Sequence, residues 1–312
     1  MRCDLHVHSV HSGPSDLPLL RRVANECYST PREVYETARS RGMDLVTLTD
    51  HDTIAGALEI AGLPGTFVSE EVTCTLPGGR ELHLGVFDID EARHEPIARL
   101  RRDAEALFAY LAEERIPACV NHLFSALTGR RRTEDFRLAL DGVALVEARN
   151  GMMCAASNDR AAAAGRRAGL SPVGGSDAHT LASVARAYTT VPGASGREEF
   201  LDGLRRGSTL AVGASGSYAR LTADIARIFA GTYLDFGHRA LRAPADAFRF
   251  TLMLGGLPLG ALIPVVTAWV YTKEHLFAWR HYRRFQAASL RRVRPPLPPG
   301  PFGPAPAGAV LP

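Results

Sequence analysis

Over roughly the first two hundred residues, short apolar runs alternate with amphipathic segments. In "CDLHVHS" (3–9) an extended strand would put Asp4, His6 and His8 on one face and Leu5 and Val7 on the other, because successive strand side chains point to opposite sides. A helix would not group them so, since positions two apart do not share a helical face. "TPREVYETARSRG" (30–42) reads as a helix with capping-box spacing at Thr30 and Glu33, Pro31 in the first helical position and Gly42 just past the end. "DLVTLTDHD", "TFVSEEVT" and "ELHLGVF" read as strands, and Ile97, Leu100, Ala104, Leu107, Phe108 and Leu111 recur at helical spacing across 95–115. "IPACVNH", "VALVEARN" and "LSPVGGSD" supply three further strand candidates. The alternation predicts an α/β fold with parallel strands and crossover helices.

Polar residues able to bind metal stand where these runs stop. His51 ends "LVTLTD", Glu70 and Glu71 follow "TFVS", His122 follows "ACVN", and Asp177 and His179 follow "PVGGS". In α/β sheets and barrels, sites assemble at the carboxyl ends of strands, so residues distant in sequence converge there. The pattern predicts a ring of strands delivering these side chains to one mouth.

Beyond residue 215 the pattern changes. Residues 217–242 look helical, and Phe250 to Tyr271 then runs 22 residues without a charge, interrupted by Gly255, Gly256, Pro258, Gly260 and Pro264. Such a run is long enough to cross a bilayer, but its breakers favour a re-entrant or surface-lying hairpin. The competing expectation is an apolar hairpin docked on the rest of the chain or on a second subunit. A basic arm, "RHYRRFQAASLRRVR", follows from Arg280, and a Pro-rich tail over 291–312 is expected to be disordered. The expected division is therefore 1–215, a helical extension over 216–290 and the tail.

At 312 residues and 46% hydrophobic, the chain can build a sizeable core. A net charge of +3 does not call for a stable nucleic-acid partner. Five cysteines without C-x-x-C spacing suit free thiols in a reducing compartment, and no apolar leader precedes the first strand. Together these lead us to expect a cytoplasmic location, at the membrane face if the apolar hairpin engages lipid.

"DLHVHS", "LTDHDT", "SEEVT", the strand residue His83, "VNH" and "GGSDAH", in that order, resemble the successive motifs of the PHP family, named after polymerases and histidinol phosphatases. The resemblance spans roughly residues 2–215. It implies a distorted (β/α)7 barrel holding two or three divalent transition-metal ions (Mn, Zn or Fe), and hydrolysis of a phosphoester, either a small molecule or an oligonucleotide. Carried over residue by residue, it places His6, His8, Glu71 and Asp177 around one ion, Glu71 with His83 and His122 around a second, and His51 with His179 around a third. Glu71, Asp177 and His179 are then the candidate catalytic groups. The donor chemistry agrees: imidazoles and carboxylates without thiolate suit these ions, and a carboxylate can bridge two cations.

Glu71 is preferred over Glu70 because the family's glutamate precedes a "V-[ST]" pair, as "EVT" does here. Strand parity allows only one of the two to face the site. Asp50 and Asp52 are expected to hold or cap neighbouring groups, and Asp4 to orient a histidine. Arg149, at a strand end, is the candidate phosphate clamp. Arg130, Arg131 and Arg132 read as a solvated loop, and His94, His238, His275 and His281 as surface or packing residues. The chain departs from the family pattern at Gly13, where a ligand for the third ion usually stands; His11 or Asp16 would have to replace it. It departs again at Leu123, where the family has proline. The rival expectation is a non-catalytic or regulatory metal-binding module of the same family.

Overall fold

The computed structural model describes residues 1–15, 21, 24–126, 128–129, 131–243, 250–251 and 254–289. Its strands are β1 (Arg2–Asp4), β2 (Leu45–Val46), β3 (Ser69–Leu76), β4 (Arg80–Phe87), β5 (Ala118–Val120), β6 (Leu145–Asn150), β7 (Ser171–Gly175), β8 (Ala187–Thr190) and β9 (Leu210–Gly213). The helices are α1 (Pro31–Ser40), α2 (Ala55–Ile60), α3 (Glu91–Leu100), α4 (Ala104–Glu113), α5 (Thr133–Gly142), α6 (Ala155–Ala168), α7 (Arg197–Arg206), α8 (Tyr218–Ala240) and α9 (Ile263–Ser289).

Local sequence explains several boundaries. At the start of α1, the Glu33 amide donates to Thr30 Oγ1 at 3.3 Å while Glu33 Oε2 accepts from the Thr30 amide at 2.8 Å. The helical spacing across 95–115 belongs to two helices, because Asp103 accepts from the Glu105 and Ala106 amides, both at 3.1 Å, and opens α4. Helix α4 buries Leu107, Phe108 and Leu111 in a core shared with Leu82, Leu84 and Val86 of β4. A second core lies between β1, β2, β6 and β7 and helix α7, through Leu5, Leu45, Leu145, Val173, Phe200 and Leu204.

The fold is mixed α/β; the strand ladders of the described residues do not close the distorted (β/α)7 barrel that the resemblance implies, and the expectation of parallel strands is corrected at four pairs. Strands form two ladders, β2-β1-β8-β9 and β3-β4-β5-β6-β7, linked among the described residues by isolated bridges such as His51 to Glu71 and Val7 to Ala178. Antiparallel pairs occur at β1–β8, β8–β9, β3–β4 and β4–β5. The β3–β4 hairpin turns at Gly78 and Gly79, both at positive φ, and a link this short has no room for the crossover that parallel strands need. The isolated bridges fall beside the motif residues, so the two ladders meet at the ends where the histidines and carboxylates stand.

No helix among the described residues is long and apolar enough to cross a membrane. Within 250–271, Leu257–Leu262 forms a 3-10 turn that leads into α9. Helix α9 packs against α8, α6 and α5, while most described residues of 250–271 are exposed. Its Ala278 and Phe285 join the first core, and the Phe124 and Tyr282 rings meet at 5.7 Å. The Pro-rich tail lies outside the described residues.

Candidate metal centre

Glu71 stands at the middle of the site, fully buried on β3. Its Oε2 lies 3.2 Å from His6 Nε2, 3.5 Å from His8 Nε2 and 3.2 Å from His51 Nδ1. Its Oε1 lies 3.2 Å from His122 Nε2 and 3.4 Å from His83 Nδ1. Asp177 Oδ1 adds a second carboxylate, 3.5 Å from His6 Nε2 and 3.4 Å from His8 Nε2. His179 stacks on His8 with ring centroids 4.3 Å apart. The structure thus brings together all eight residues singled out as ligands. Four overlapping triads have donor atoms within 4.8 Å of one another: His8/His51/His179, His6/His8/Asp177, His6/Glu71/His122 and His51/Glu71/His83.

Neighbouring groups fix which nitrogen each imidazole turns inward. His6 Nδ1 is held by Glu147 at 2.8 Å, His8 Nδ1 by Ser12 Oγ at 2.9 Å, and His179 Nδ1 by the Asp177 carbonyl at 3.0 Å. Ser12 Oγ in turn donates to Asp50 at 2.7 Å, so Asp50 acts on His8 through the serine. Glu147 also accepts from the His122 amide and from Asn150 Nδ2, which donates to Asp177 as well. Asn121 Nδ2 donates to Glu71 Oε1 at 2.8 Å. His122 and Asp177 are held at positive φ, 25° and 53°, a conformation non-glycine residues adopt mainly where the surroundings enforce it.

The donor set fits cations. Nε2 of His6 and His8, Nδ1 of His83 and His122, and Oε2 of Glu71 are buried with no hydrogen-bond partner. Such groups in a native interior need an explanation, and an ion supplies one. Among the described residues, the ion pairs of Glu71 and Asp177 are all with histidines, with no lysine or arginine to offset the buried charge. Burial alone would raise both carboxyls, but the surrounding imidazoles hold each well below the usual range. Burial, with His179 and His51 nearby, takes His8 down to about 3, which keeps it neutral and able to ligate.

Other candidate residues sit elsewhere. Glu70 points away from the cluster and accepts from His94 Nδ1 at 3.0 Å. His11 pairs with Glu59 at 2.6 Å, so it does not take the place open at Gly13; Asp16 lies outside the described residues. Asp4 accepts from the amides of His6, Ser176 and Ala185, so it braces backbone and not an imidazole ring. Asp52 accepts from the Thr73 amide. Arg149 Nη1 donates to Ser215 Oγ at 2.9 Å. Arg131 is not solvated as expected. It is buried and donates to the Leu123 and Glu81 carbonyls, bracing the loop where leucine replaces the family's proline. Arg130 lies outside the described residues. His281 packs against Phe136 and Phe277.

Reasoning from sequence missed Glu147, Asn121, Asn150 and Glu26. Glu147 was visible as a lone acid inside the apolar run "VALVEARN". Glu26 had no such signal, yet its Oε2 lies 3.1 Å from His51 Nε2.

Residues 155–209 match the family model described as PHP-associated. A 72-residue stretch of this chain is 33% identical to the uncharacterized protein MJ1587 of Methanocaldococcus jannaschii, covering 23% of this chain and 41% of that one. The chain therefore spans less than half the length of that curated relative. Among solved structures it is similar to a protein of Bifidobacterium adolescentis described as a metal-dependent phosphoesterase (19% identity, TM-score 0.41, 57% of this chain and 87% of that one). It is also similar to the lesion-specific endonuclease EndoQ of Pyrococcus furiosus (15%, TM-score 0.47, 69% and 59%). A third is an amidohydrolase of Chromobacterium violaceum with bound sulfate (18%, TM-score 0.45, 67% and 98%).

Proposed function

We propose that this chain is a metal-dependent hydrolase of the PHP type acting on a phosphoester. The observation that carries the proposal is the buried set of donor triads sharing Glu71, with nitrogens and a carboxylate oxygen that find no hydrogen-bond partner. Bound divalent cations would supply charge neutralisation for phosphate oxygens and an activated water. His6, His8, Glu71 and Asp177 would hold one ion, Glu71, His83 and His122 a second. Glu147, Ser12 and the Asp177 carbonyl fix the imidazoles, so the lone pairs needed for ligation face inward without reorganisation. The side chains of Asp177 and His179 are 12% and 19% exposed, against 2% or less for His6, His8 and Glu71, so substrate would enter on the Asp177/His179 side. On this reading Asp177 and His179 would meet the reacting group, and Arg149, whose Nη1 donates to Ser215 Oγ, would bind phosphate.

The test is hydrolysis by Mn(II)- or Zn(II)-loaded protein of phosphomonoesters, bisphosphonucleotides and short oligonucleotides. We expect phosphate release or chain cleavage with at least one class, abolished by chelator and restored by metal. A metal-replete protein inert on all three would favour the non-catalytic module instead.

We also propose that the outer face of the C-terminal helices lies on anionic lipid without crossing it. Leu234, Leu241, Leu259, Val265, Trp269 and Trp279 are each exposed, a large share of apolar side chains for these C-terminal elements. Lys273 lies 5.2 Å over the Trp269 ring and Arg283 4.9 Å over Trp279, the pairing of aromatic and cation that suits a headgroup boundary. The protein should sediment with phosphatidylserine vesicles and not with neutral ones; equal recovery in both supernatants would leave that face to another partner.

A further inference from the structure

Gly13 is the position at which the family's third-ion ligand is missing, and its backbone explains why no side chain stands there. At φ 81° and ψ −155° it occupies a region that side chains rarely adopt, and a Cβ added to it would meet nothing within 4 Å. The described residues on either side of 16–23 pair beside Gly13. Pro14 and Asn25 form an antiparallel bridge, the Ser15 amide donates to the Ala24 carbonyl at 2.9 Å, and the Glu26 amide donates to the Gly13 carbonyl at 3.1 Å. Glu26 therefore sits directly across from the residue that lacks a ligand.

Its side chain reaches the same imidazoles. Glu26 Oε2 lies 3.1 Å from His51 Nε2 and 3.8 Å from His179 Nε2. Two ligand atoms each about 2.05 Å from a tetrahedral ion stand about 3.3 Å apart, so the Glu26–His51 separation matches atoms sharing one cation and the Glu26–His179 separation is about 0.5 Å longer. His179 Nδ1 is occupied by the Asp177 carbonyl and His51 Nδ1 faces Glu71, which leaves both Nε2 atoms to the Glu26 side. The three side chains are 14% to 19% exposed, so this corner is the open edge of the centre.

Resting on the metal-dependent reading above, we propose that Glu26 is a ligand of a third cation, held by Glu26, His51 and His179 with its remaining coordination open toward the mouth. Three protein ligands with an open position is the arrangement of sites that take substrate or water, as opposed to closed structural sites. The Pro14–Asn25 bridge thus sets beside Gly13 the carboxylate that Gly13 does not provide.

The test is metal content per chain, by elemental analysis after reconstitution with Mn(II) and desalting, for the wild type, Glu26→Gln and Glu26→His. We expect three ions in the wild type, two in Glu26→Gln, and a return toward three in Glu26→His, which restores a donor of similar reach. Near-ultraviolet circular dichroism reports whether each variant is folded. Equal content in wild type and Glu26→Gln overturns the proposal while leaving the dinuclear centre intact; a wild type without ions overturns the underlying reading as well. Anomalous scattering from Mn(II)-soaked wild-type crystals decides without any variant: a peak bounded by Glu26, His51 and His179 supports the assignment, and two peaks with none at Glu26 refute it.

Discussion

Adjacent residues with opposite destinations make Glu70 and Glu71 the sharpest test at the scale of single side chains. Strand alternation sends Glu71 among His6, His8, His51, His83 and His122, and Glu70 to His94. Glu71→Gln should lower metal content by at least one ion per chain and cut activity by more than the roughly 10–100-fold typical of losing an outer supporting group. Glu70→Gln should keep full metal content and change only stability, by about 1–3 kcal/mol, through its bond to His94. Elemental analysis and thermal melting read both, and the reverse outcome would shift the strand register by one. Residues within a strand motif were legible because period-two alternation fixes the face each presents. Glu26 was not, because its partnership with Gly13 exists only once Pro14 and Asn25 pair. Nor was the role of Asp4, whose acceptors engage amides brought close by β7 and the loop before β8.

Elements were legible in kind more than in connection. The capping box of α1 and the apolar runs of β3, β4 and β6 stand where the pattern put them, whereas an all-parallel ring did not survive the two-glycine turn between β3 and β4. The division at residue 215 looked natural because hydrophobic periodicity changes there, but periodicity does not show what a helix holds. Asp224 of α8 accepts from Thr180 Oγ1 at 2.7 Å and from Ser183 Oγ at 2.5 Å, just after His179. Glu274 of α9 accepts from the Ala126 amide at 2.9 Å and from Ser125 Oγ at 3.3 Å, just after His122. Two buried carboxylates of the extension thus brace two ligand-bearing loops. Glu274→Ala would leave the Ala126 amide buried without its acceptor, a cost of about 1–3 kcal/mol. We expect a lower melting temperature and weaker metal retention in that variant, and a larger loss of both in a chain ending at 215. A truncated chain that melts and binds metal like the full one would show the extension to be an appendage.

For the molecule as a whole, the two ladders and their bridging residues converge on one largely buried cluster of six imidazoles with the carboxylates of Glu71 and Asp177. The ordered motifs made that convergence readable, because strand ends in α/β folds share a side. They did not reveal that helix α9 divides its faces, with Ala278 and Phe285 packed inward and Trp269 and Trp279 outward. The proposed function depends on this site holding cations, since among the described residues Glu71 and Asp177 are buried with imidazole and amide neighbours but no lysine or arginine partner. The most direct measurement is the transition-metal content of the full chain purified without chelator, with the melting temperature recorded before and after metal removal. The account expects at least two ions per chain and a clear fall in melting temperature on their removal, because a ligand bound only by the folded state stabilises it. Less than one ion per chain after reconstitution, with an unchanged melting temperature, would contradict it.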